Sequence, residues 1–150
     1  MRIQLSDALP GAIKHVFAMY GVIERAAQDA GLDKSVLELV KIRASQINGC
    51  AYCTDTHSRD AAAAGESQRR IFVLPVWRET ELFSEVERAA LELTEAMTRL
   101  SEHAEVPDEV YEQARKVLSE EQFTVIAWTA AGINLLNRLG VTSRKPLPAA

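Results

Sequence analysis

Apolar residues recur along this chain at steps of three and four, with no sustained alternation at steps of two. From Leu9 to Ala30, Ile13, Phe17, Tyr20 and Ile23 fall roughly on one helical face, and Gly31 stands where such a helix stops. Asp33 suits the cap of a second helix, in which Val36, Val40, Ala44 and Ile47 recur. Asn48-Gly49 then breaks the pattern. A third helix is predicted from about Cys50 to Ala64, with an alanine run at its end and Gly65 stopping it. A short helical piece, Gln68 to Leu74, stops near Pro75. Ser84-Glu-Val-Glu87 has capping-box spacing and opens a helix reaching about Leu100. Another helix follows Pro107, and Ser119-Glu-Glu-Gln122 opens a last one, expected to end at Gly140. The apolar positions of that last helix, Phe123, Ile126, Ala127, Ala130, Ile133 and Leu136, predict deep burial. The expected fold is all-α, about six to seven helices in a single domain over residues 1–150.

Composition narrows what such a domain does. With 47% hydrophobic and 25% charged residues the chain is ordinary for a globular protein, so no fibrous or disordered class is indicated. A net charge of −4 gives no electrostatic reason to expect nucleic-acid or anionic-membrane binding. No apolar run approaches the roughly 20 residues a spanning helix needs. Met1-Arg-Ile-Gln-Leu-Ser-Asp lacks the charged, apolar and small-residue segments of a secretory leader, and a cytoplasmic location is expected. The two cysteines, Cys50 and Cys53, stand three residues apart. A structural disulfide closing so short a loop in a reducing compartment would stabilise little. A close dithiol there points to redox chemistry or to metal binding.

On a helix advancing about 100° per residue, positions 50, 53 and 57 lie within roughly 60° of one another. Two thiols and the His57 imidazole therefore share one stripe. With the break at Asn48-Gly49, Cys50 falls in the first turn, where unpaired N–H groups and the helix dipole stabilise a thiolate. At least one thiol is expected to titrate below the free value of about 8.5. Peroxide reduction uses these parts: a thiolate becomes a sulfenic acid, and a second thiol condenses with it to a disulfide. His57 suits the accompanying proton exchange. Glu38 precedes Cys50 by twelve residues and would face elsewhere on one unbroken helix. Across the break it belongs to the preceding helix, which can fold back so that a buried carboxylate orients His57 or relays a proton.

Plainer readings stand beside these. Both cysteines could be small buried hydrophobes. Zinc could take them with His57, although no second pair and no obvious fourth ligand accompanies them, and His15 and His103 are isolated. Arg43 could serve as a salt-bridge partner and Tyr52 as packing beside the thiols. Trp77 and Trp128 suit core or subunit contacts. Asn134, Asn137 and Arg138 suit helix ends or an interface, with no function assigned.

The segment Glu38-Leu-Val-Lys-Ile-Arg43-Ala-Ser45-Gln-Ile-Asn48-Gly49-Cys50-Ala-Tyr52-Cys53-Thr-Asp-Thr-His57-Ser58 resembles the core motif of the alkylhydroperoxidase D-like family, within the carboxymuconolactone decarboxylase superfamily. Trp77-Arg-Glu, Phe83-Ser-Glu-Val-Glu-Arg88-Ala-Ala-Leu91 and Asn134-Leu-Leu-Asn137-Arg138-Leu extend the resemblance over most of the chain. It implies a helical thiol-dependent hydroperoxide reductase. In that reading Cys53 is the peroxidatic nucleophile, Cys50 the resolving thiol, and Glu38 with His57 the proton relay. It further implies a hydroperoxide substrate, a thiol or lipoyl-bearing reductant, and trimers or hexamers built from trimers. No cofactor and no metal are expected. Tyr52 departs from the best-known peroxidase members, which carry a histidine there. The alternatives are a carboxymuconolactone decarboxylase-like enzyme of other chemistry, or a non-enzymatic redox-responsive or metal-binding protein.

Overall fold

The computed structural model describes residues 1–149, all of them in helices, turns and connecting segments with no strand. In chain order the helices are α1 (Leu5–Ala8), α2 (Pro10–Asp29), α3 (Lys34–Asn48), α4 (Ala51–Ala63) and α5 (Gln68–Val73). A 3₁₀ segment (Leu74–Glu79) follows, then α6 (Glu85–Thr98), α7 (Leu100–His103), α8 (Asp108–Val117) and α9 (Glu120–Ser143). The single turns α1 and α7 are additions to the expected pattern, and the other seven are the predicted helices.

Local chemistry sets most of the boundaries. Asp33 Oδ1 accepts a hydrogen bond from the Ser35 N–H at 2.8 Å and starts α3. Ser84 and Ser119 each form a reciprocal capping box, with Glu87 and Gln122. Gly49 ends α3 in the left-handed conformation, φ +68°, which its missing Cβ makes available without strain. The expected end of α9 at Gly140 is corrected: the helix runs on to Ser143 and is capped by Arg144, φ +47°. A glycine stops a helix only where the chain turns left-handed, and Gly140 instead lies buried inside the helix against its neighbours.

Helix α3 is the centre of the molecule. Every residue from Val36 to Ile42 is buried, and the helix packs against α4, α6 and α9. Two apolar clusters flank it. One joins Ile23, Leu37, Val40, Leu93, Ile126 and Ala130 across α2, α3, α6 and α9. The other joins Leu39, Ile42, Leu74, Trp77, Phe83 and Leu91 under the 3₁₀ segment. A helix enclosed on all sides must pair the polar residues it carries, and α3 carries Glu38, Lys41 and Ser45 among its buried ones. Burial is uneven along α2 and falls short of expectation in α9. Phe17 on α2 is 62% exposed, because α2 lies at the edge of the bundle and only Ile23 and Ala27 of it are buried. Of the six positions of α9 expected to be deep, Ile126, Ala130 and Ile133 are fully buried, whereas Phe123, Ala127 and Leu136 are half-buried because their faces of the helix are only partly covered.

The two ends of the chain are laced together. Arg2 Nη1 donates to the Thr142 carbonyl at 3.0 Å, and Gln4 Nε2 to that of Ser143 at 3.1 Å. Leu5 N–H donates to Ser143 Oγ at 3.1 Å, and Lys145 Nζ to Ser6 Oγ at 3.3 Å. No helix is long and apolar enough to cross a membrane among the described residues.

Candidate active site

The turn between α3 and α4 delivers the two sulfurs. Cys50 is the N-cap of α4, and its Sγ accepts a hydrogen bond from the Cys53 N–H at 3.3 Å. The two cysteines form a disulfide, with Cα atoms 5.3 Å apart, inside the usual range. Ala44 and Ile133 pack around them. Behind them passes α9 at Gly140, where a Cβ would lie 3.0 Å from Cys50 Sγ and 3.5 Å from Cys53 Sγ. A side chain at this position would crowd Cys50 Sγ, so glycine suits the close approach of the helix.

One turn along α4, His57 Nδ1 lies 3.5 Å from Glu38 Oε2, within ion-pair distance but too long for a formed hydrogen bond. Glu38 Oε1 accepts from Lys41 Nζ at 2.9 Å. The Lys41 ammonium, itself buried, lies 5.1 Å from the centre of the Tyr20 ring. Burial works against the Glu38 carboxylate, yet the facing imidazole and the Lys41 charge outweigh it and hold its pKa below the ordinary value. Tyr20 shows the opposite balance: burial, then the Glu38 charge, push its phenol far above the usual range. Its buried hydroxyl has no hydrogen-bond partner.

Cys53 and His57 open into a cavity of about 360 Å³, walled mainly by Ile13, Phe17, Leu136 and Leu139. That volume is near the lower end of the range for small-ligand sites. The four residues expected from the sequence, Glu38, Cys50, Cys53 and His57, are thus neighbours. Lys41 and Tyr20 were not anticipated. Glu38-x-x-Lys41 has i,i+3 spacing, but such pairs are common on solvated helix faces. Tyr20 carried only a core-face signal.

The asparagines left without a function prove to be the frame of the site. Asn48 Nδ2 donates to Asn134 Oδ1 and Asn137 Oδ1, both at 2.9 Å. Asn137, fully buried, donates to Ser45 Oγ at 3.0 Å, and Ser45 donates to the Lys41 carbonyl at 2.7 Å. These bonds fix the end of α3 against α9, immediately before Cys50. Arg43 lies apart from the dithiol and pairs with Glu95 at 2.8 Å, which also accepts from Trp77 Nε1 at 2.9 Å. Trp128 is exposed. No three His, Cys, Asp or Glu side chains converge on a metal position among the described residues.

A helical fold with a Cys-x-x-Cys pair at a helix N-terminus, a histidine one turn on and a buried glutamate opposite is of the alkylhydroperoxidase D-like class. Residues 14–96 match the carboxymuconolactone decarboxylase family, and the chain belongs to that family. It is 36% identical over 140 residues to the uncharacterized protein YdfG of Bacillus subtilis strain 168, covering 93% of this chain and 92% of that one. The fold matches the crystal structure of a protein of unknown function from Agrobacterium tumefaciens, suggested in its name to be the antioxidant defence protein AhpD. The TM-score is 0.88 at 36% identity, with 99% of each chain covered. The debrominase Bmp8 shares the fold at a TM-score of 0.79 and 19% identity, covering 95% of this chain and 74% of Bmp8.

Proposed function

We propose that this protein is a thiol-dependent hydroperoxide reductase with an antioxidant role. The observation that carries the reading is the shared position of Cys53 and His57 on one apolar cavity, with an anionic Glu38 behind the imidazole. In the reduced protein the Cys53 thiolate attacks a peroxide oxygen, the O–O bond breaks, and Cys53 becomes a sulfenic acid. His57 supplies the proton that lets the alcohol leave. The Cys50 thiol then attacks the sulfenic sulfur, the S–S bond forms and water departs. Two thiols and ROOH thus give ROH, water and a disulfide. Glu38 orients the imidazole and offsets its charge while the proton is carried. Cys50 at the helix N-cap and Cys53 in the first turn sit where backbone N–H groups and the helix dipole favour thiolates once the disulfide is reduced. The apolar walls suit an organic R group. A cytoplasmic setting, which would keep the dithiol reducible, belongs to the same reading.

The test is consumption of an organic hydroperoxide with a dithiol donor present. Wild type should turn over, and Cys53→Ser should lose at least about a hundredfold in rate, the scale of removing a reacting group. Equal consumption by the two proteins would sink the assignment.

A further inference from the structure

Three cations gather on one side of the dithiol. Lys145 lines the cavity that reaches Cys53. With Arg2 and Arg144 it also lines a shallower groove of about 440 Å³ that reaches Cys50. The other walls of the groove are small or apolar, from Gly49 to Tyr52 and at Gly140 and Val141, and no carboxylate lines it among the described residues. The whole chain carries −4, so this face has the sign opposite to that of the molecule.

The lacing of the chain ends holds these charges in place. Arg2 is tied to the Thr142 carbonyl, and Lys145 to Ser6 Oγ, 4.5 Å from the centre of the Tyr52 ring. Arg144 caps α9 and is exposed, and its guanidinium makes no hydrogen bond or ion pair among the described residues. Asp7 lines the neighbouring cavity and, with all three cations, a further groove between the chain ends, but it forms no ion pair with any of them, so one carboxylate stands against three cations here. Clustered cations beside a reactive centre raise the local concentration of anions and speed their encounter. The cavity on the Cys53 side is mainly apolar, whereas the groove on the Cys50 side is cationic.

Resting on the hydroperoxide-reductase reading, we propose that the Arg2–Arg144–Lys145 groove receives the reductant, and that this reductant is a small thiol bearing carboxylates. Its thiolate attacks Cys50 Sγ, a new S–S bond joins reductant to Cys50, and the Cys50–Cys53 bond breaks. Cys53 leaves as a thiolate beside His57. A second thiol, as thiolate, attacks the reductant sulfur of the mixed disulfide, freeing Cys50 and releasing the oxidised reductant. Overall, two thiols become a disulfide and the protein dithiol is restored. Oxidant and reductant thus approach the sulfur pair from different sides.

The experiment measures reduction of the oxidised protein by mercaptosuccinate, 2-mercaptoethanol and cysteamine, with no peroxide present. Remaining disulfide is read by quenching, alkylation and mass spectrometry, and rates are normalised to thiolate concentration. In wild type at low salt, mercaptosuccinate should react about tenfold faster than 2-mercaptoethanol, and cysteamine slowest. The spread should collapse at about 0.5 M salt. Arg144→Gln, which removes charge without removing a contact, should lower the anion preference about twofold to threefold. The triple replacement of Arg2, Arg144 and Lys145 by Gln should bring it to about one. Equal normalised rates for the three thiols in wild type would overturn the proposal. So would a preference that neither Arg144→Gln nor the triple replacement changes. Because no peroxide enters, failure here leaves the hydroperoxide assignment standing, and failure of peroxide turnover shows independently.

Discussion

Two buried glutamates in this protein are held anionic by cations, and they differ in how completely they are paired. On α6, Glu95 Oε1 accepts from Arg43 and Trp77, at 2.8 and 2.9 Å. Its Oε2 accepts from Arg78 at 2.6 Å and lies 3.7 Å from Arg99. On α3, Glu38 gives one oxygen to Lys41, while its other oxygen faces His57 without a formed hydrogen bond. For both, burial pushes the pKa up and the partners more than reverse it, so both lie below the ordinary value. A saturated carboxylate is a fixed strut between helices. One with an oxygen to spare, beside an imidazole on a cavity, keeps the capacity to take part in proton transfer.

The comparison breaks most directly at the two carboxylates themselves. Glu38→Gln should lower peroxide turnover about a hundredfold with the fold retained, the usual scale for losing a group that assists proton transfer. Glu95→Gln should keep turnover within about twofold but cost about 3 kcal/mol of stability, since the surrounding arginines lose their counter-charge. Circular dichroism melts beside initial rates separate the two, and a Glu95→Gln protein that melts like wild type would undo the strut reading. The linked pH dependence has a definite sign. Because both folded pKa values are depressed, the stability these groups confer is fully present above the ordinary value of 4.5 and is lost as pH falls through the lowered values.

Lys41 sharpens the same contrast. Lys41→Met should raise the Glu38 pKa and move the acid limb of the rate-against-pH profile to higher pH, while Lys41→Arg restores it. An unmoved acid limb would separate Lys41 from the site chemistry. The smallest effect is expected at Tyr20, whose buried hydroxyl lacks a partner. Tyr20→Phe should stabilise by about 1 kcal/mol, a rise of about 2–4 °C in Tm, with turnover unchanged. A tenfold loss of turnover would instead put the phenol on the proton path.

The sequence carried the helices because their caps are local. Asp33, Ser84, Ser119 and the Gly49 break each act within a few residues, and each performs as its spacing implies. The stripe of Cys50, Cys53 and His57 was legible for the same reason. Glu38 was legible only through its family resemblance, because the fold-back of α3 on α4 is a tertiary fact. Tyr20 and the asparagine frame join residues far apart in the chain, with Asn48 and Asn137 separated by 89 positions. Nothing local distinguishes a buried asparagine that braces two helices from one that caps a helix end. Gly140 misled for the complementary reason: a glycine needed for clearance looks in sequence like one needed for a turn.

That clearance also has a mechanical side. A rigid wall stands one atom's width behind the sulfur pair, since α9 continues straight past Gly140 and a single added carbon would meet Cys50 Sγ at 3.0 Å. That tight distance is to Cys50 alone; Cys53 Sγ lies an ordinary 3.5 Å from the same point and lines the cavity on its other side. The two sulfurs of one bond thus sit in unequal surroundings, Cys50 pressed toward the backbone of α9 and Cys53 turned to open space, and the scaffold rather than the sulfurs sets that difference.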